Sequence, residues 1–397
     1  MAMPLSNIRV LDLSRILTGP FCSMVLADLG AEVVKVEVPG TGDDTRSWGP
    51  PFVEGESAYF LSVNRNKKSI TLNLKREKGK QILYELAKKC DVLIENFSPG
   101  VTERLGVDYA TVHSFNPRIV YCSISGFGQD GPYRDLPAYD IVIQGMSGLM
   151  GITGEKDRPP VRIGVAITDM GAGMYACIAI LSSLIEREKT GQGQWIDVSL
   201  LDGAVSWMTY MAANYFATHQ VPDRMGSAHP TIVPYQCFEA RDRKYLTVAV
   251  GNDGIWRNFC KATQLEVLIE DQRFATNPKR VENRHELLSQ LVKIFLTRDR
   301  DDWIYLLRRE RVPCGPVYTV DEIFQDPQIL HRNMRLELKH LKAGKIDQIG
   351  VPMKFSVTKE TEMTAPPLLG QHTEEILKEL LEYSPQEIKR LREENVI

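Results

Sequence analysis

Asp169 is the residue whose type and setting point most directly to chemistry. It lies in Gly164-Val-Ala-Ile-Thr-Asp169-Met-Gly171-Ala-Gly173, a short apolar run that leads into a helix pattern. A carboxylate at a helix start is favoured in its ionised form by the free N–H groups and the helix dipole, which suits it to act as a nucleophile. The same position also suits plain duty as an N-cap, a role for which Asp is among the preferred residues. Gly171 and Gly173 lean toward chemistry. Without side chains they would let a ligand approach backbone N–H groups that can hold a developing oxyanion. Other catalytic patterns are missing: no GxGxxG follows the first strand, no GxxxxGK[ST] occurs, and neither Ser147 nor Ser199 stands in a GxSxG elbow. Dehydrogenase, kinase and hydrolase readings are lowered accordingly.

Basic residues gather at Arg65, Lys67, Lys68 and Lys75, with Arg104 further on. Such a run is either a solvated face or a dock for phosphates, since both side chains pair well with them. Tyr139-Asp140 is a polar pocket pair or a turn, and His229 is a loop histidine that either serves a site or is structural. The seven His include no HExxH and no pair at helical spacing, so no metal site is expected. The seven Cys, at 22, 90, 122, 177, 237, 260 and 314, contain no CxxC and read as reduced thiols of an intracellular protein.

The elements that must position these residues alternate between strand and helix. Residues 8–13, 31–37, 91–95 and 119–124 are apolar strand patterns. Phe21 to Leu29 reads as a helix, and residues 77–89 place Ile82, Leu83, Leu86 and Ala87 on one helical face. This alternation predicts an α/β fold, a parallel sheet with helices on its faces, in which ligands sit beyond the carboxyl ends of the strands. Attention therefore falls on Ser14–Thr18, Pro39–Asp43, Asn96–Gly100 and Ser125–Gly131. Residues 170–188 predict a long helix, and the character of the chain changes near 220–235. Domains are expected at 1–222 (large), 223–320 (small) and 321–397 (a linker and return to the large domain).

The chain has 397 residues, 43% hydrophobic and 25% charged, with a formal net charge of −3. That is ordinary globular composition, and it offers no electrostatic reason to expect nucleic acid. The longest apolar stretch, around 174–185, is too short to span a bilayer, so no membrane partner is expected. No signal peptide or Arg-rich presequence pattern opens the chain.

Five stretches carry a family likeness. They are VLDLSRILTGPFCSMVLADLGAEVVKVEVPGTGDDTR at 10–46, NRNKKSITLNLK at 64–75, DVLIENFSPG at 91–100, GVAITDMGAG at 164–173 and APPLLGQHT at 365–373. Together they resemble the class III CoA-transferases, the carnitine/formyl-CoA transferase family, over nearly the whole chain. The resemblance implies a Rossmann-like large domain built from both chain ends, a smaller inserted α+β domain, and an interlocked homodimer. It implies that Asp169 attacks an acyl-CoA thioester, forming an aspartyl anhydride and then an aspartyl-CoA thioester. It assigns coenzyme A binding to Leu72, Lys75, Asn96, Phe97 and Arg104. Coenzyme A thioesters are thus expected as substrates, with small carboxylic acids, and no tightly bound cofactor. GDDTRSWGPPFV, SVNRNKKSI, AHPTIVPYQ and PPLLGQHT resemble members that use succinyl-CoA and glutarate, and the implied compartment is the mitochondrial matrix or a bacterial cytoplasm.

Departures from the formyl-CoA members matter as well. Arg15 and Leu17 replace a His and a Gln, Val38 replaces an Arg, and the glycine loop is shorter at Gly251-Asn252. Formyl or oxalyl chemistry is therefore disfavoured. Arg15 and Arg46, with Tyr139, are the expected substrate-binding residues, a guanidinium being suited to the far carboxylate of a dicarboxylate; Arg46 is equally suited to be a structural salt-bridge partner. Hydroxymethylglutarate, itaconate or another short dicarboxylate stays open as the acid, since one methylene gives little discrimination. A non-catalytic CoA-binding protein is disfavoured by the intact Asp169 segment. The alternative enzyme within the same fold is an α-methylacyl-CoA racemase. Those isomerases use a His before an Asp, where this chain reads Ala138-Tyr139-Asp140, and a Glu where it has Asn252. Without that His to move the α-proton, racemisation is disfavoured.

Overall fold

The structure, a computed structural model, describes residues 3–358 and 362–397. It divides into two compact units, one of residues 3–149, 162–213 and 330–397, the other of 150–161 and 214–329. The second is wider than the expected 223–320 and takes in a short segment from before the long helix.

The first unit opens with β1 (Arg9–Asp12), α1 (Thr18–Asp28), β2 (Glu32–Glu37), β3 (Lys67–Thr71), α2 (Glu77–Lys88), β4 (Val92–Glu95) and β5 (Val120–Ser125). It continues with α3 (Asp140–Met146), α4 (Ile167–Thr190), β6 (Trp195–Ser199) and α5 (Leu200–Ser206). The six strands form one sheet in the order β3-β2-β1-β4-β5-β6, with every neighbouring pair parallel. This is the doubly wound dinucleotide-type order, and its direction of winding reverses between β1 and β4.

Alternation along the strands supplies both faces of this sheet. Val10, Val33, Val92 and Ile94 enter the core shared with Leu26, Ala172, Ala176 and Ile180. Leu11, Val34 and Leu93 enter the other, with Ile82, Leu83, Leu86 and the C-terminal Leu377 and Leu391. Both faces are covered, as an all-parallel sheet requires, and this explains why the strands read as continuous apolar runs. The 24-residue α4 has the length and hydropathy of a membrane span. It is longer than the apolar run at 174–185 suggested, but it buries Ala172, Gly173, Ala176 and Ile180 as a core helix does.

In the second unit, β7 (Tyr235–Glu239), β8 (Tyr245–Ala249) and β9 (Cys314–Pro316) form an antiparallel sheet. Helices Asp253–Thr263, Arg284–Phe295 and Arg300–Arg309 supply Trp256, Phe259, Phe295 and Trp303 to its core. This is the expected small α+β architecture.

Candidate active site

Asp169 is the third residue of α4, half-buried, and it does not cap the helix. The N-cap position falls to Ala166, which has no side-chain oxygen. The cap comes instead from α3: Asp140 Oδ1 accepts from the Thr168 backbone N–H at 2.9 Å and from the Thr168 hydroxyl at 2.8 Å. Gln144 secures that carboxylate, donating to Asp140 Oδ2 at 2.7 Å while accepting from the Ile163 N–H at 2.9 Å. The capping interpretation of Asp169 is thereby replaced. Its Oδ1 accepts from the Thr18 hydroxyl at 2.5 Å, and among the described residues its Oδ2 has no hydrogen-bond partner. Burial pushes the carboxyl up to about 6, the Thr18 hydrogen bond opposes that rise, and the Asp140 charge adds to it.

Gly171 and Gly173 do not act as expected. Both lie inside α4 and are buried, with their N–H groups in the helix ladder beyond its free first turn. They are packing glycines: a Cβ on Gly171 would stand 1.9 Å from the Trp207 ring, and one on Gly173 2.8 Å from the Thr18 carbonyl oxygen. Gly173 thus lets α1 cross α4 closely enough for Thr18 to reach Asp169.

Thr18 is delivered by the loop after β1. Ile16 in that loop has φ of 70°, a costly conformation for a β-branched residue. Buried charges hold it there. Lys35 donates to the Ser14 carbonyl at 2.8 Å and pairs with Asp43 at 2.9 Å, and both side chains are fully buried. Asp43 accepts from the Ile16 N–H at 3.2 Å. Burial works against the Asp43 charge, but the Lys35 ammonium holds its carboxyl down at about 2. Below them Asp12 accepts from Ser14 N–H and Ser23, and Lys67 donates to the Pro20 carbonyl at 2.8 Å. Burial pushes Lys67 down to about 8 against the pull of Asp12. Sequence reasoning drew attention to the Ser14–Thr18 stretch and the Tyr139-Asp140 pair but gave neither Thr18 nor Asp140 a role toward Asp169, and it overlooked the buried network. The one legible signal of that network was Lys35, a charge within an otherwise apolar strand.

The carboxyl ends of β1, β2 and β3 surround a cavity of about 430 Å³ lined by Arg15, Lys35, Val38, Leu72, Lys75 and Phe97, among others. Of the residues assigned to coenzyme A, the structure therefore brings Leu72, Lys75 and Phe97 together. Arg104 is exposed on the short helix that ends at Leu105, a lining residue. Asn96 is committed elsewhere: its Oδ1 accepts from Arg15 N–H at 2.8 Å and its Nδ2 donates to the Arg15 carbonyl at 2.7 Å. This bridge ties β4 to the β1 loop at the point where the winding reverses.

The arginines separate. Arg15 is half-exposed, 2.9 Å from Asp44, with its guanidinium over the Phe97 ring. Arg46 is a framework residue: Nε and Nη2 donate to the two oxygens of buried Glu37, each at 2.7 Å, and its guanidinium covers Phe60. That commitment corrects its assignment to substrate. Tyr139 is 61% exposed and does not line the cavity. Most of the basic run is structural too. Arg65 pairs with buried Asp28, Lys67 is buried, and Lys68 pairs with Glu32 and Glu375, which leaves Lys75 on the cavity. His229 belongs to the second unit, where its Nδ1 accepts from the Thr231 N–H.

Fold and site together define a doubly wound α/β protein with a carboxylate at a helix start and a cavity beyond the carboxyl ends of the strands. Residues 5–373 match CoA-transferase family III, and the chain belongs to that family of enzymes. It is 46% identical to a Homo sapiens protein named succinyl-CoA:glutarate CoA-transferase, over 99% of this chain and 90% of that one. It is 40% identical to an Agrobacterium fabrum protein named succinate–glutarate CoA-transferase, over 95% of this chain and 96% of that one. A crystal structure of a CaiB/BaiF family protein from Brucella suis superposes with a TM-score of 0.86 at 42% identity, covering 96% of this chain and 100% of that one.

Proposed function

We propose that this chain moves coenzyme A from succinyl-CoA to glutarate, or a similar short dicarboxylate, with Asp169 as the covalent carrier. The observation that carries this reading is Asp169 itself, a half-buried carboxylate relieved of capping by Asp140, with one oxygen held and the other unpartnered among the described residues. In the proposed sequence Oδ2 attacks the thioester carbonyl and expels the CoA thiolate, giving a mixed anhydride. The thiolate then attacks Cγ of Asp169, releasing the donor acid and leaving an aspartyl-CoA thioester. The acceptor carboxylate displaces the thiolate, which finally attacks the acceptor's acyl carbon and frees Asp169. Each step exchanges one acyl bond for another and needs no net proton transfer, which fits a site without a histidine. Lys75 and Arg104 are assigned to the phosphates of the coenzyme, Phe97 and Leu72 to its apolar parts, and Arg15 to the far carboxylate of the acceptor.

The relatives named for succinyl-CoA and glutarate support the choice of acids. A second copy of the chain is part of the same proposal. It is supported by an exposed apolar face on α4, comprising Met174, Tyr175, Ile178 and Ile185, which is larger than isolated surface residues account for.

The test is coenzyme A exchange followed by mass, with succinyl-CoA as donor and a panel of mono- and dicarboxylates, run beside Asp169→Ala. Formation of glutaryl-CoA by the wild type and none by the variant is the expected result. Exchange surviving in Asp169→Ala would refute the carrier. Wild-type turnover confined to monocarboxylates would refute the acceptor class.

A further inference from the structure

The hydroxyl of Thr18 stands where the negative charge of the proposed reaction must develop. Thr18 is buried, at 4% exposure, and the first residue of α1. Its place is set from two sides: the Lys35–Asp43 pair holds the Ser14–Ile16 loop, and Gly173 admits the Thr18 backbone against α4. The hydroxyl meets Oδ1 of Asp169 and leaves Oδ2 to attack.

We propose that Thr18 is a catalytic residue of this transferase, its hydroxyl being the oxyanion donor to Oδ1 each time Cγ of Asp169 is attacked. The inference rests on Asp169 being the covalent carrier. When the acceptor carboxylate attacks the aspartyl-CoA thioester, a C–O bond forms at Cγ and the carbonyl π pair moves onto Oδ1. Thr18 donates to that oxygen. The pair then returns, the C–S bond breaks, and the thiolate leaves with its electrons. A preplaced donor of this kind acts on developing charge in a half-buried site, where one hydrogen bond has a large effect on rate. The same donor favours the ionised form of the resting nucleophile.

The test compares Thr18→Val, which keeps the shape, with Thr18→Ser, which keeps the hydroxyl, in coenzyme A exchange across about pH 5 to pH 8, a range bracketing the carboxyl. Asp169→Ala is run alongside. Thr18→Val is expected to lower kcat about 100-fold, the scale of losing one oxyanion donor, with KM for the acyl-CoA within about threefold. Its acid limb should move to higher pH, while Thr18→Ser should stay within roughly threefold of wild type at each pH. Any other pattern overturns the proposal: equal losses in both variants, a loss confined to KM, or an unmoved acid limb in Thr18→Val. If Asp169→Ala retains exchange, the carrier falls and the role of Thr18 with it. If Asp169→Ala is dead while Thr18→Val matches wild type, only the role of Thr18 falls.

Discussion

Burial sets Asp169 against the stability of its own fold. Its carboxyl titrates at about 6 in the folded chain against an ordinary 3.8, so the folded state holds the proton more tightly than the unfolded one. Stability therefore falls as pH rises through that window and is lowest above it. Asp169→Asn is expected to be inactive yet more stable than wild type at pH 7, with the advantage vanishing below pH 4; urea titrations at the two pH values would show it. Exchange itself needs the carboxylate, so kcat should fall as pH drops through about 6. The two arginines should now behave differently. Arg15→Ala is expected to raise the KM for the acceptor acid well above its effect on that for the acyl-CoA, and equal effects would remove Arg15 from the acceptor site. Arg46→Ala removes the guanidinium from buried Glu37, which keeps the Ser69 hydroxyl, the Asp43 N–H and the nearby Lys35 charge. The loss should therefore fall below the roughly 3–5 kcal/mol of a buried charge left wholly unpaired and register as lost stability in denaturant.

Among the elements, α4 depends on a residue outside itself. Asp140 supplies the side-chain cap that Ala166 cannot, across a gap of 28 residues in sequence. Asp140→Ala should cost about 1–2 kcal/mol, the upper part of the range for a lost cap. Because the first turn carries Asp169, it should also lower kcat more than KM. A variant with full kcat and reduced stability would show that the turn holds its geometry without the cap. The loop after β1 has a comparable dependence on its surroundings. Ile16 keeps its strained backbone because Asp43 grips its own N–H and Lys35 grips the Ser14 carbonyl, while Asn96 grips Arg15 between the two. One loop thereby reaches both the cavity, through Arg15, and the nucleophile, through Thr18.

At the scale of the whole molecule, α4 presents two apolar faces. One packs into the first unit through Ala172, Ala176 and Ile180, while Ile178 and Ile185 lie on the other, 59% and 64% exposed. Solvating the exposed face is unfavourable by roughly 25 cal/mol per Å², and the proposed second copy would remove that cost. Ile178→Glu is expected to shift the chain toward monomer in sedimentation, with lower exchange activity. An unchanged sedimentation profile would mean that the partner contacts another surface.

The amino-acid order by itself determined the parallel sheet, because β1, β2, β4 and β5 are buried on both faces and read as largely apolar runs, and it determined the helical face of α2. It also singled out Asp169 and Lys75, whose motifs are contiguous and unusual. The tertiary structure alone decided what the other polar groups do. Arg46 and Lys67 have no partner legible in their own stretches of sequence, yet Arg46 pairs with Glu37 at the end of β2, and Lys67 reaches Asp12 on β1, two strands away in the sheet. Gly171 and Gly173 read as room for a ligand, yet Trp207 and the backbone of α1 fill that room. Thr18 reads as one threonine among several until α1 crosses α4. The physical reason is the same throughout: hydrophobic periodicity is local and survives in one dimension, whereas a hydrogen bond or ion pair is defined by a partner that only folding brings near.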